Sequence, residues 1–234
     1  MKSPLSALAA LAHLFFPHTC CGCGSDMLGD DEILCLSCQA EMPFTGFEDY
    51  PDNPVERIFW GRLPIKAAAA HLYFTQHAAV QESIHQFKYK GRKDIGSYFG
   101  RSMGKSLRQS ARFQDCSLVA PLPLHPSKEK KRGYNQASML SDVIAKVLGI
   151  PAAPEALKRV TGTISQTHKN RIARWQNMAN KFEVNEPEKL VGQHVLLVDD
   201  VVTTGATLEA CAATLLAIEG VTVSVAALAY TVWA

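Results

Sequence analysis

The chain has 234 residues, of which 47% are hydrophobic and 20% are charged, and its formal net charge is +2. This length accommodates one sizeable domain, or one domain with a small appendage. The composition is that of an ordinary globular protein, and the absence of an apolar run long enough to cross a bilayer excludes a membrane-spanning chain. We therefore expect a protein without a membrane span.

The charges are distributed unevenly along the chain. Residues 1–60 hold two basic and nine acidic residues, and residues 183–234 hold one basic and seven acidic residues. Residues 61–182 hold 21 basic and six acidic residues, a balance of about +15. A basic segment of this size favours polyanionic partners, namely phosphates, pyrophosphate or nucleic acid; the alternative is a solvated basic face.

The first 16 residues have an amphipathic pattern, with Leu5, Leu8, Leu11 and Phe15 at helical spacing. This pattern predicts a helix that packs on the body of the protein. A secretory signal is the alternative, but the cationic start is thin and Pro17 begins a poor cleavage site.

Five of the seven cysteines lie between positions 20 and 38. Cys20, Cys23, Cys35 and Cys38 form a C-x2-C-x11-C-x2-C pattern, which offers four thiolates in the tetrahedral arrangement that Zn²⁺ prefers. Such a closed site is structural. Cys21 could replace Cys20 as the first ligand, although the spacing favours Cys20, and a disulfide framework is an alternative that needs an oxidising compartment.

Helix and strand patterns alternate along the rest of the chain, after a segment at 43–64 that has the composition of a linker. Such alternation predicts a parallel α/β sheet. Strands are expected at 66–74, 117–120, 155–160, 182–184, 194–198 and 221–231; helices are expected at 78–88, 92–112, 137–148 and 208–218; and a charged loop is expected at 127–133.

The most informative stretch begins with the apolar run 195–198, typical of a strand buried on both faces. The run ends in Asp199 and Asp200, and a turn rich in small and hydroxyl residues then opens a helix. Ligands of open α/β sheets bind beyond the carboxyl ends of the strands, and free amides at a helix N-terminus suit a phosphate. Two adjacent carboxylates suit neighbouring ribose hydroxyls, directly or through Mg²⁺.

This stretch resembles the binding motif for 5-phosphoribosyl-1-pyrophosphate (PRPP) in the type I phosphoribosyltransferases. The resemblance implies that Asp199 and Asp200 form the catalytic pair that holds the ribose hydroxyls, with Mg²⁺ accompanying PRPP. It also implies that the turn wraps the 5′-phosphate; the turn consists of Thr203, Thr204, Gly205, Ala206 and Thr207. An acidic cap on an ordinary strand–helix turn is the alternative.

Two further loops fall in that family's order. The loop after the strand at 117–120 holds pyrophosphate in the family, and here it carries Lys130, Lys131 and Arg132. Solvated surface lysines are the alternative for the first two. The segment 159–177 lies where the family has a mobile loop over the reacting centre, and it includes Gln166 and Arg171. Closure of such a loop excludes water from the site.

The whole chain resembles the ComF-type competence proteins. The matching residues are the four spaced cysteines, 87–91, 132–136, Gln166, Arg171, Asn177 and the PRPP turn. The resemblance implies an N-terminal helix, zinc-ribbon module and linker over 1–60, followed by a phosphoribosyltransferase-like domain over 61–234.

The same resemblance implies a role in natural competence, in the uptake or use of single-stranded DNA. Its implied partners are PRPP, single-stranded DNA, and competence proteins such as a DNA-uptake helicase. Phosphoribosyltransferase activity is the first hypothesis, although no residue stands out as a general base. The alternative is a nucleic-acid-binding accessory protein or a PRPP sensor without transferase activity, because a fold does not fix a function.

Overall fold

The computed structural model describes residues 18–26, 28–29, 32–74, 78–160 and 182–231. Within these ranges the helices are α1 (Leu36–Ala40), α2 (Pro54–Arg57), α3 (Ala78–Tyr89), α4 (Lys93–Gln109), α5 (Pro126–Arg132), α6 (Gln136–Leu148) and α7 (Ala206–Leu216). The strands are β1 (Ala68–Phe74), β2 (Leu118–Pro121), β3 (Leu157–Arg159), β4 (Phe182–Val184), β5 (His194–Val202) and β6 (Thr222–Thr231). The helix expected within 1–16 lies outside the described residues. Among the described helices, none has the length and apolarity that a bilayer span requires.

Four strands form one sheet in the order β1-β6-β5-β2, and every neighbouring pair is parallel. The predicted parallel α/β fold is therefore confirmed. Strands β3 and β4 form a separate antiparallel pair. Because parallel strands point the same way, the carboxyl ends of β5 and β2 meet at one edge of the sheet, where ligands of this architecture bind.

Strand β5 is central, and its residues 194–198 are all buried. A run without alternation means that both faces of the strand are covered, as the apolar pattern predicted. Helix α6 packs against β2 and β5, and α7 packs against β5 and β6. These contacts hold β5 in place, and the carboxyl end of β5 carries the acid pair.

Irregular chain segments bond along both outer strands of the sheet. Residues 43–45 run antiparallel to β1, where the Thr45 amide donates a hydrogen bond to the His71 carbonyl (3.1 Å). At the other edge, the Ala153 amide donates to the Val119 carbonyl of β2 (2.8 Å). Both edges of the sheet are thus partly paired.

The segment 43–64, expected to be a linker, packs on the sheet domain instead. The Asn53 side chain accepts hydrogen bonds from the amides of Val55 (3.0 Å) and Glu56 (3.2 Å) and so caps α2. Val55 and Phe59 are buried. The segment is anchored because these apolar side chains lie in the hydrophobic core. The domain boundary between residues 60 and 61 stays a prediction.

The segment 127–133, expected to be a charged loop, largely forms helix α5 instead. The His125 Nδ1 accepts a hydrogen bond from the Ser127 amide (3.2 Å), and Pro126 occupies the first helical position. Gly133, with φ of 81°, ends the helix. Helix α5 forms because its two ends are capped, although it has no apolar face to bury.

Candidate functional site

The acid pair lies at the carboxyl end of β5, which continues through Val202 rather than ending at Val198. Both carboxylates are partly buried, and the Asp200 amide donates a hydrogen bond to Asp199 Oδ1 (2.7 Å). Burial, and then the charge of Asp200, raises the pKa of Asp199 to about 7.

Two cations from distant segments face the second carboxylate. Lys88 Nζ, at the end of α3, lies 3.0 Å from Asp200 Oδ2, and Arg132 Nη1, at the end of α5, lies 3.6 Å from the same oxygen. Arg132 Nη1 also donates a hydrogen bond to Gln136 Oε1 (2.7 Å). The guanidinium is thereby held between α6 and the acid pair.

The turn after β5 depends on Gly205, whose φ is +71°. A methyl group at this position would overlap the Ile58 side chain, so both the dihedral and the space require glycine. Helix α7 begins here without a side-chain cap, which leaves its first amides available to an anion. Thr203, Thr204 and Thr207 are exposed beside them.

The loop after β2 forms the facing wall of the site. The Leu122 amide donates to the Val198 carbonyl (2.8 Å), and Asn135 Nδ2 donates to the Leu122 carbonyl (3.0 Å). Asn135 Oδ1 also accepts from the Ala137 amide (3.0 Å) and caps α6. One asparagine side chain thus joins the loop to the helix that packs on β5.

These elements line a cleft of about 640 Å³ that is open to solvent. The charged groups that line it include four cations and two carboxylates: Lys88, Lys128, Arg132, Arg159, Asp199 and Asp200. The positive balance and the free helix N-terminus suit a ligand with several negative charges. The arrangement can hold a phosphorylated sugar between the acid pair and the cations.

The structure brings some of the predicted site residues together and separates others. Asp199, Asp200, Arg132 and Thr207 line the cleft, with Thr203, Thr204, Gly205 and Ala206 in the turn beside it. Lys130 and Lys131 are exposed on α5 and do not line the cleft. Gln166 and Arg171 lie outside the described residues.

Three cations of the cleft were missed as site residues by sequence reasoning: Lys88, Lys128 and Arg159. Lys88 lies in the last turn of α3, which no spacing rule joins to the acid pair, and Arg159 ends β3 at the start of the loop expected over the site. One feature of the sequence could have indicated both residues: each belongs to a basic segment that directly precedes a turn. Lys128 lies on α5, and the residues that begin and end this helix, Pro126 and Gly133, are recognisable in the sequence.

The second candidate site is the cysteine cluster. The sulfurs of Cys20, Cys23, Cys35 and Cys38 all lie within 4.8 Å of one another, with 3.7 Å between Cys23 and Cys35. Four thiolates around Zn²⁺ at the usual bond length would stand about 3.8 Å apart. The donor set and its spacing therefore fit a structural metal ion.

The environment of Cys20 favours a thiolate. Burial acts to raise the pKa of Cys20, but amide hydrogen bonds from Cys35, Cys23 and Gly22 outweigh it and lower the pKa to about 6. The Cys35 and Gly22 amides lie 3.3 Å and 3.4 Å from the sulfur. Oriented amides around a thiolate are a common feature of cysteine knuckles that hold a metal.

The structure separates Cys21 from the cluster. Its Sγ lies 3.3 Å from Ser83 Oγ on α3, and burial raises its pKa to about 11. Its carbonyl accepts a hydrogen bond from Gln86 Nε2 (3.4 Å). Cys20 is thus the first member of the cluster, and Cys21 attaches the cluster to α3.

Comparison with known proteins agrees with this architecture. Residues 135–231 match the phosphoribosyl transferase domain. The chain is 32% identical over 145 residues to the "DNA utilization protein YhgH" of Salmonella typhimurium, an alignment that covers 61% of this chain and 63% of that protein. It is 33% identical over 129 residues to "Competence protein F" of Haemophilus influenzae, covering 53% of this chain and 56% of that protein. The chain thus spans less than two thirds of the length of these curated relatives.

Among solved structures, the glutamine PRPP amidotransferase of Bacillus subtilis matches 61% of this chain and 30% of its own, with 19% identity and a TM-score of 0.41. The chain is thus similar to the phosphoribosyl transferase domain over residues 135–231 and to relatives that are named for competence and DNA utilization.

Proposed function

We propose that the cleft binds PRPP and that the protein is a phosphoribosyltransferase of the ComF type. In this proposal it acts in natural competence, in the uptake or use of single-stranded DNA. The observation that carries the proposal is the acid pair at the end of β5, which faces a cation-lined cleft and is followed by the Gly205 turn.

Each part of PRPP has a counterpart in this arrangement. Asp199 and Asp200 accept hydrogen bonds from the ribose hydroxyls, and the turn from Thr203 to Thr207 receives the 5′-phosphate at the N-terminus of α7. Lys128, Arg132 and Arg159 lie where they can neutralise the pyrophosphate. Lys130 and Lys131, on the exposed side of α5, attract the polyanion from solution rather than contact it.

In this proposal the protein catalyses the reaction by positioning PRPP and by stabilising the charges that develop as its bond to pyrophosphate breaks. As the bond from ribose C1 to pyrophosphate breaks, negative charge grows on the leaving group and positive charge grows on the ribose ring. The cleft cations stabilise the leaving group, and the half-buried acid pair holds the ribose ring. A nitrogen nucleophile then attacks C1. We include Gln166 and Arg171 in the loop that closes over the ribose and excludes water.

Two metals belong to the proposal. We assign Zn²⁺ to Cys20, Cys23, Cys35 and Cys38, because four thiol donors match its preference for soft tetrahedral ligands. Mg²⁺ accompanies PRPP at the acid pair, where carboxylate oxygens match its preference for hard ligands.

The DNA role has two supports. The segment 61–182 carries about 15 positive charges in excess, and the relatives are named for competence and DNA utilization. We include single-stranded DNA and a DNA-uptake helicase or other competence protein among the partners. The proposal places the protein in the cytoplasm, a reducing compartment, which agrees with seven cysteines of which none forms a disulfide.

The test is pyrophosphate release from PRPP with Mg²⁺ present, with ammonia, free nucleobases and single-stranded DNA offered in turn. Release that requires one acceptor is expected. The Asp199→Asn/Asp200→Asn double variant should abolish it. Asp115→Asn is the matched control, because it removes an exposed carboxylate that pairs with Lys66.

Each outcome has a separate meaning. Release that vanishes only in the double variant identifies a transferase and its acceptor class. PRPP binding without release, for every acceptor, favours the accessory or sensor role. An absence of PRPP binding to the wild-type protein would overturn the proposal.

A further inference from the structure

Tyr89, the last residue of α3, has an aromatic side chain that the hydrophobic core does not use. It is 53% exposed and lies outside the core. By contrast, Phe87 is buried two residues earlier, and Tyr134, just beyond α5, packs against the core. Because Tyr89 stabilises no core, its exposed ring is available to a ligand.

Two side chains hold the Tyr89 ring at the rim of the cleft. The His85 ring, one turn earlier on α3, has its centroid 5.1 Å from the centroid of Tyr89. The guanidinium carbon of Arg132 lies 5.5 Å from the Tyr89 centroid, a distance at which a cation is attracted to an aromatic ring. Arg132 also lines the cleft, so the exposed ring lies directly beside it.

Helix α5 adds exposed cations next to this ring. Four of its seven residues are basic, one is acidic, and none is buried. Lys130 and Lys131 are exposed and form no ion pair with an acid in the described ranges. Since Arg132 is the last residue of α5 and contacts Tyr89, these free cations are adjacent to the exposed ring in one surface.

Single-stranded DNA carries both of the groups that such a surface can bind. Its phosphates pair with cations, and its unpaired bases stack on aromatic rings with little dependence on sequence. A DNA duplex hides the faces of its bases inside its own stack, so it could use the cations but not the ring. An acidic peptide would likewise engage the lysines without using the ring.

We propose that Tyr89 and the exposed lysines of α5, Lys130 and Lys131, form the binding surface for single-stranded DNA. A base stacks on the Tyr89 ring, and neighbouring phosphates pair with the two lysines. This inference rests on the proposed function for its choice of DNA as the partner, and it adds the face on which the strand lies. The strand then passes along the rim of the PRPP cleft.

The test is the Kd of a fluorescein-labelled oligothymidine of about 16 nucleotides, measured by fluorescence anisotropy with the full chain. Tyr89→Ala should bind at least about fivefold more weakly, because the stacking contact is lost. Tyr89→Phe keeps the ring and should bind within about twofold of the wild type. Tyr50→Ala is the matched control, since Tyr50 is also exposed (65%) but lies in the segment 43–64.

The salt dependence of the same Kd tests the lysines. Lys130→Gln/Lys131→Gln should lower the slope of log Kd against log salt by about 1.4 between about 50 and 200 mM, because each phosphate contact to a single strand contributes about 0.7. Lys105→Gln/Lys146→Gln is the matched control. Both of its lysines are exposed and lie near the Gly104–Val147 contact, at the opposite end of α6 from Arg132. It should lose less than half as much slope.

The oligothymidine annealed to its complement supplies the remaining comparison, and the wild type should bind the single strand at least about tenfold more tightly than this duplex. The inference is overturned if Tyr89→Ala binds like Tyr50→Ala, if the two lysine double variants lose equal slope, or if the duplex binds as tightly as the single strand. All three results leave PRPP binding and the DNA role intact. An absence of single-strand binding by the wild type removes the DNA role and this inference together, while the pyrophosphate assay still tests the transferase.

Discussion

Strand β5 begins at His194 and ends in the acid pair, and polar side chains at the two ends have different surroundings. At the amino end, His194 is buried, and its Nε2 lies 2.9 Å from Ser224 Oγ and 3.8 Å from Cys116 Sγ. At the carboxyl end, Asp199 and Asp200 face an open cleft and an array of cations. Both ends contain titratable groups with shifted pKa values.

The comparison shows that a shifted pKa does not by itself mark a functional site. Burial, and then the charge of Lys66, lowers the pKa of His194, whose buried ring contacts the Ser224 hydroxyl. Burial and a like charge raise the pKa of Asp199 beside a cleft large enough for a ligand. A functional site requires three features together: a group with a shifted pKa, space for a ligand, and charges that complement that ligand.

The largest effect that would test the difference between the two ends of β5 is a loss of PRPP binding on substitution of Gly205. Gly205→Ala should weaken PRPP binding at least about 100-fold, or about 2.7 kcal/mol, because the methyl group overlaps Ile58 and shifts the phosphate turn. The measurement is the Kd by calorimetry. Gly149→Ala is the matched control, since its φ is +74° but the space around it is open. Equal binding by the Gly205 variant and the control would show that the turn does not hold the ligand.

A smaller effect is expected on stability at Asp199. Its pKa is raised from 3.8 to about 7 on folding, so the stability that this carboxyl contributes should be lost as the pH rises from 4 to 7. Asp199→Asn should lack this slope and be more stable than the wild type at pH 8 by about 2 kcal/mol. Urea unfolding at pH 5 and pH 8 measures the difference. An equal slope in both proteins would contradict the buried-carboxyl account.

The smallest effect is expected at His194, with the opposite slope. Because folding lowers its pKa below 6.5, the unfolded state binds a proton more readily, and the contribution of His194 to stability should fall as the pH drops below 6.5. Its Nδ1 makes no hydrogen bond to a described residue, so a protonated ring would leave a buried donor unpaired. His194→Gln should weaken this slope without changing the Kd of PRPP. A changed Kd would mean that the two ends of β5 are coupled.

Sequence reasoning found the features that are local in the chain. The apolar run, the acid pair and the glycine turn are consecutive, so one strand–turn–helix unit brings them together. Lys88 was not assigned to the site, because only the packing of α3 brings it to β5, and Arg159 was placed there only as the first residue of the loop expected at 159–177. Helix α5 was missed for another reason: its seven residues have no buried face, although Pro126 and Gly133 mark both ends.

The covered edges of the sheet have a consequence for assembly. A sheet with open outer strands offers unpaired amides and carbonyls, and another chain can extend it by strand addition. Here residues 43–45 and residues 151–153 already use part of the bonding capacity of β1 and β2. The sheet is therefore protected against edge-to-edge aggregation along these stretches, and contacts with other proteins there must be made by side chains rather than by backbone pairing.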